Sequence, residues 1–157
     1  MRIKLIQAGK TEEKFLREGV ELFEKRLKHY ISFQTLTLPA LKNTRNLTEQ
    51  QQKEKEGTAL LDSFQPNDRI VLLDEKGKHF SSEEFAAYLN AAMNKSVQQL
   101  VFVIGGPYGF SPAVYEKAHE QISLSKMTFS HQMIRLFFTE QLYRAFTILR
   151  NEPYHHG

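Results

Sequence analysis

A chain of 157 residues with 41% apolar and 25% charged residues falls in the range of a single globular domain with a real core, which excludes wholesale disorder. It has no cysteine, so disulfides and thiolate metal sites are excluded, and a reducing compartment is expected. The net charge of +3 is weak for a free-standing duplex binder, and the excess is N-terminal: 15 Lys and Arg against 12 Asp and Glu in 1–80, six of each in 81–157.

IKLIQA (3–8) predicts a first strand, and its apolar run is too short for a signal peptide or a membrane span. The reading is therefore of a soluble, cytoplasmic protein. Thr11 is placed to cap a helix whose Phe15, Gly19/Val20, Phe23, Leu27 and Tyr30 recur at helical spacing. FQTLTL (33–38) alternates as a strand and stops at Pro39. Thr48 and Gln51 form a capping box into a charged helix ending near Ser63. RIVLLD (69–74) is a nearly continuous apolar run suited to a central strand. Ser81 and Glu84 make a second capping box, opening a helix with Phe85, Leu89 and Met93 inward. LVFVI (100–104) predicts another buried strand. Ser111 with Pro112 then starts a short helix to about Glu120. ISLS (122–125) is a candidate fifth strand, and Ser130 caps a long helix to about Arg150, ended by Pro153. This alternation predicts one α/β domain over 1–157, a mainly parallel sheet with helices on both faces.

Several familiar sites fail on spacing. Gly9-Lys10-Thr11 imitates the end of a phosphate-binding P-loop, but the first glycine would have to stand at Lys4. The bland alternative is a glycine turn and a threonine cap. A dinucleotide fingerprint starting at Gly105 would need glycine where Pro107 has no N–H to give. None of His29, His79, His119, His131, His155 and His156 falls in a metal-ligand spacing with a carboxylate, so no metal is expected. No G-x-S-x-G elbow is present to support hydrolase chemistry.

Three segments remain: LLDEKG (72–77), VIGGPYG (103–109) and LSKMTFSHQMIR (124–135). Each follows or ends a predicted strand, and ligands bind outside the carboxyl ends of strands in open α/β sheets. Gly105 and Gly106 would let backbone approach a flat ligand, and the 124–129 backbone could pair with an adenine edge.

LLDEKGKHFSSEEFA (72–86), VFVIGGPYG (101–109), ISLSKMTFSHQMIRL (122–136), EQLYRAF (140–146) and NEPYHH (151–156) resemble the RlmH family of the SPOUT methyltransferase superfamily. The resemblance extends over essentially the whole chain. It implies methylation of N3 of a pseudouridine in 23S ribosomal RNA, of the helix 69 type, on the assembled ribosome. It also implies a homodimer and S-adenosylmethionine as cofactor, held in a C-terminal deep trefoil knot. Carried over by motif, the cofactor contacts are Leu73, Gly105, Leu124, Ser125, Lys126, Met127, Thr128 and Phe129.

Such a transfer needs N3 aligned with the methyl carbon and help in losing its proton. Within the family motifs, His131, Glu140, Tyr143, Arg144, Tyr154 and His155 are the catalytic candidates. Arg144 could neutralise a phosphate or an imide anion, and His155 could serve as base. Glu140 and Arg144, four apart, also suit a plain ion pair, and His131 also suits packing. Two alternatives stay open: another RNA such as tRNA, or a non-catalytic nucleotide- or RNA-binding module. The polar tail after Pro153 is expected to fray, and the wide apolar arc of the last helix to face a second subunit.

Overall fold

A computed structural model describes residues 1–157. Five strands, β1 (Arg2–Ala8), β2 (Ser32–Leu38), β3 (Asp68–His79), β4 (Gln99–Ile104) and β5 (Glu120–Ser123), form one sheet in the order β2-β1-β4-β3-β5, and every pairing is parallel. Parallel strands need crossovers, and the helices supply them: α1 (Lys14–Leu27), α2 (Glu49–Ser63), α3 (Ser82–Asn94), α4 (Pro112–Lys117) and, after the last strand, α5 (Met133–Leu149). No helix is long and apolar enough to cross a membrane.

Helices cover both faces, as expected. On one face α1, α3 and α5 bury Leu27, Phe85, Leu89, Phe138 and Leu142 against Ile3, Leu5, Val71 and Phe102 of the strands. On the other, α2 and α4 bring Leu60 and Val114 onto Ile6, Ile70, Leu72, Val101 and Val103. Successive strand residues therefore feed opposite cores, which is why β3 and β4 read as unbroken apolar runs.

Both capping boxes form: Thr48 with Gln51, and Ser81 with Glu84. Ser111 caps α4 with Pro112 in its first turn, and α4 stops at Lys117 rather than at Glu120. Ser130 accepts from the Met133 amide (3.1 Å) one turn ahead of α5.

Four expectations are corrected. Thr11 caps nothing; α1 begins at Lys14, and the Thr11 hydroxyl accepts from Arg135 instead. Phe15 is 60% exposed, and its neighbour Leu16 is the buried residue, because α5 packs along the Gly19 side of α1. The fifth strand is 120–123, two residues earlier than expected. β3 continues to His79 in two registers, since Leu73 and Lys78 both lie opposite Ile122 and the residues between them bulge outward.

Candidate functional site

Because all strands run the same way, Leu73, Ile104 and Ser123 end at one edge of the sheet. A cleft of about 700 Å³ opens there. Of the expected cofactor residues, Leu73, Gly105, Leu124, Ser125, Met127, Thr128 and Phe129 line it, and only Lys126 does not. Its apolar wall includes Ile104, Ile122 and Ile134, and Asp74, Glu75 and Glu49 supply negative charge. Tyr115 donates to Asp74 and ties α4 to the start of the bulge in β3; burial and this bond push its hydroxyl well above the ordinary tyrosine range. The fold uses the Met127 amide to bond Ser125 (2.9 Å), and the amides of Lys126, Thr128 and Phe129 have no partner in the chain.

Gly105 and Gly106 both line the cleft. Neither has a positive φ. A Cβ on Gly105 would stand 3.1 Å from the Phe110 ring, and one on Gly106 would collide with the Glu56 carboxylate. The missing side chains admit neighbours that shape the cleft wall. Gly105→Ala therefore asks Phe110 to yield a few tenths of an ångström, whereas Gly105→Val displaces the ring at a cost of about 1–3 kcal/mol. Titration calorimetry with S-adenosylmethionine, the cofactor that the family resemblance implies, should show weakened binding for alanine and none for valine. Equal affinity in both variants would mean that this wall does not shape the ligand site.

The catalytic candidates divide into two groups. His131 lines the cleft. Glu140, Arg144, Tyr154 and His155 form a separate cluster, and none of them lines it. Met133, the first residue of α5, and Arg144 are eleven residues and so about 16 Å apart along the helix axis. Arg144 Nε lies 3.1 Å from Glu140 Oε1, and its Nη1 lies 3.2 Å from His155 Nδ1. Tyr154 donates to the same Glu140 oxygen (2.9 Å), and the Arg144 guanidinium sits 4.8 Å from the centre of the Tyr154 ring. Tyr143 packs edge-on against Tyr154 (4.7 Å) and adds no polar group to the cluster.

An arginine only donates, so His155 Nδ1 accepts from Arg144 and its Nε2–H donates to Glu83 (2.8 Å). That bond holds the Glu83 carboxyl down at about 2, and the Glu140 bond holds the Arg144 guanidinium above its usual range. Burial first, and then the bond to Glu140, raise the Tyr154 hydroxyl. The tail expected to fray is docked, and His155 is engaged at both ring nitrogens. His156 stays exposed.

Arg135 was not singled out by sequence reasoning. It is buried, and it donates to the carbonyls of Ala8 (2.7 Å) and Gly9 (2.9 Å) and to the Thr11 hydroxyl. It thereby ties the start of α5 to the turn after β1, and burial pulls its pKa down. The available signal was helical spacing: Arg135 stands three and seven residues before Phe138 and Leu142, on the buried face of α5.

An open all-parallel sheet with a large cleft at its carboxyl edge, walled in part by glycines, is the arrangement in which α/β proteins bind ligands. A family model described as "Predicted SPOUT methyltransferase" matches residues 1–155, and the chain belongs to that family of methyltransferases. It is 60% identical to a protein of Christiangramia forsetii, and 58% identical to proteins of Parabacteroides distasonis and of Flavobacterium johnsoniae. Each is named ribosomal RNA large subunit methyltransferase H, and each alignment covers 99% of both chains.

Proposed function

We propose that this methyltransferase acts on large-subunit ribosomal RNA, placing a methyl group on N3 of a pseudouridine of 23S RNA in the assembled ribosome. The names of its full-length relatives and the cleft support this reading. The single observation that carries it is the convergence of seven of the eight motif-derived cofactor residues on that cleft.

S-adenosylmethionine fits the site chemically. The unused amides of 128 and 129 would meet its purine edge, and the apolar wall would hold the flat ring. Asp74, Glu75 and Glu49 would face its cationic groups. When bound, it supplies the electrophilic methyl group for an in-line displacement. The protein's own task is to hold the acceptor nitrogen in line and to favour loss of its proton.

Arg144, fixed by Glu140 and stacked on Tyr154, is the cation suited to an imide anion or a phosphate. A homodimer accounts for the distance between this cluster and the cleft, because one subunit's cluster could complete the other's cleft. Most of the apolar arc of α5 is taken up by the subunit's own core, but Phe137 remains 37% exposed with Phe129 stacked on it (4.7 Å), and α1 adds exposed Phe15 and Leu22. Sedimentation should give a dimer at micromolar concentration; a monomer there would remove this account. The family's trefoil knot and a cytoplasmic location belong to the same proposal.

Methyl-labelled S-adenosylmethionine, the purified protein and ribosomes lacking the methyl group test the function directly. Label is expected at N3 of a single 23S pseudouridine, and more slowly if at all on naked RNA, since a charge of +3 gives little non-specific phosphate affinity. Label in transfer RNA alone, or none, overturns it.

A further inference from the structure

Where the end of α1 meets the second half of α5, aromatic rings gather around Tyr143. Phe23 and Tyr30 each stand 5.8 Å from its ring, and Tyr154 of the tail stands 4.7 Å from it. Phe23, Arg26 and Tyr30 follow helical spacing, so α1 and the turn after it present all three on one side. Arginines lie on these rings. Arg144 covers Tyr154, Arg26 lies 5.5 Å from the centres of both Phe23 and Tyr143, and Arg150 lies 4.5 Å from that of Tyr30. Each guanidinium is thus within two ring contacts of Tyr143.

The carboxylates beside these rings are already engaged. Glu140 accepts from Arg144 and Tyr154, and Glu152 accepts from Tyr30 (2.5 Å). Arg26 and Arg150 have neither an ion pair nor a side-chain hydrogen bond within the chain. The charge of Arg26 nonetheless reaches Tyr154, where it opposes the rise that burial and Glu140 impose on the hydroxyl. A guanidinium lying on a ring keeps its five N–H donors in its own plane, directed past the ring edge. Stacking also restrains the long side chain, so less freedom is lost when a ligand arrives. Arg26 is half-buried and Arg150 exposed, so their donors are open to a partner from outside.

We propose that Arg26 and Arg150 bind phosphates of the ribosomal RNA that flank the target nucleotide, extending the contact surface outward from Arg144. The inference rests on the function proposed above, in which Arg144 marks the reacting end. The planar fork of each arginine matches two phosphate oxygens at once. A chain with a net charge of only +3 has little general affinity for RNA, so the phosphate contacts that it does make must be gathered near the reaction. Aromatic faces interleaved with arginines are also the kind of surface on which unpaired RNA lies.

The test is the affinity of the protein for ribosomes lacking the methyl group, measured between about 50 and 200 mM salt for Arg26→Gln, Arg150→Gln and the double variant. The slope of log affinity against log salt should fall by about 0.7–0.9 for each arginine removed. In methyl transfer the loss should appear mainly as a KM raised about tenfold by each change. Arg26→Lys keeps the charge, so its slope should match that of the unaltered protein while its affinity stays lower for want of the fork. Arg150 is exposed, and its variant carries the test if Arg26→Gln does not fold. Calorimetric affinity for S-adenosylmethionine should stay within about twofold throughout. An unchanged slope in the double variant overturns the proposal and leaves both arginines to packing. A lower kcat at unchanged KM overturns it by assigning them to the chemistry, and a dissociated dimer in sedimentation overturns it by assigning them to the subunit contact. A changed slope on ribosomes but not on deproteinised 23S RNA also overturns it, since the partner would then be an acidic ribosomal protein. Failure of the unaltered protein to methylate ribosomes would instead overturn the function, and this inference with it.

Discussion

Replacing Gly77 by alanine should destabilise the protein by about 3 kcal/mol or more, although it adds a single methyl group. Gly77 ends the bulge between the two registers of β3, where the chain presses directly against β5. A Cβ there would lie 2.5 Å from the Ile122 nitrogen and 2.6 Å from the Gln121 carbonyl carbon. These atoms are main chain and cannot rotate away. β5 is an edge strand bonded only to β3, so its one escape is to peel off and forfeit that ladder. Asp74 to Lys76 on one strand and Ile122 to Ser125 beyond the other both line the large cleft, so the same change should weaken cofactor binding. Gly57 offers a control, because a Cβ there meets the Ser111 side chain rather than backbone. Denaturant midpoints should fall further for Gly77→Ala than for Gly57→Ala. Equal midpoints would mean that β5 shifts freely.

Gly77 itself could not have been singled out from the sequence. In KGKH, polar residues follow an apolar run, and periodicity marks a strand only where one face is buried. The bulge lifts these residues away from the core, so β3 reads as ending at Asp74 while it continues to His79. Capping boxes were legible because their signal is local: Thr48 and Ser81 find their partners three residues on, whatever the rest of the chain does. Thr11 lacks such a partner, since Lys14 stands three residues on, and a buried guanidinium 124 residues away takes its hydroxyl. Long-range claims of that kind leave no trace in a window of a dozen residues.

The cleft divides along the same line. Strand ends and glycines pointed to a ligand edge, and family motifs supplied the individual contacts. The tail was misjudged for a related reason. Tyr154 and His155 find partners on α3 and α5 that lie far away in the sequence.

Deleting residues 153–157 should lower methyl transfer by orders of magnitude at a modest cost in stability. The cost is not negligible, as a frayed tail would have implied. The deletion removes the Tyr154 ring from between Tyr143 and Arg144, its bond to Glu140, and the His155 bridge to Glu83. The Tyr154 contacts amount to about 1–3 kcal/mol. Tyr30 still bonds Glu152 (2.5 Å), so the end of α5 stays anchored without the tail. The catalytic loss comes from Arg144. Freed from the Tyr154 face and from His155, its guanidinium keeps only Glu140, and a cation neutralised by one carboxylate and free to swing is poorly placed for a developing anion. His155→Ala should show a smaller loss, since Tyr154 would still pin the guanidinium. The Glu83 contribution has a definite sign with pH. Its carboxyl is depressed from 4.5 to about 2 in the folded protein, so this anchoring is fully present above about 4.5 and is lost as pH falls towards 2. Between neutral and alkaline pH the Glu83 carboxylate stays ionised, so a change in rate there does not come from Glu83. A truncated protein that still dimerises, binds cofactor and methylates ribosomes at full speed would remove the tail cluster from the mechanism. His131, which lines the cleft, would then be the residue to change next.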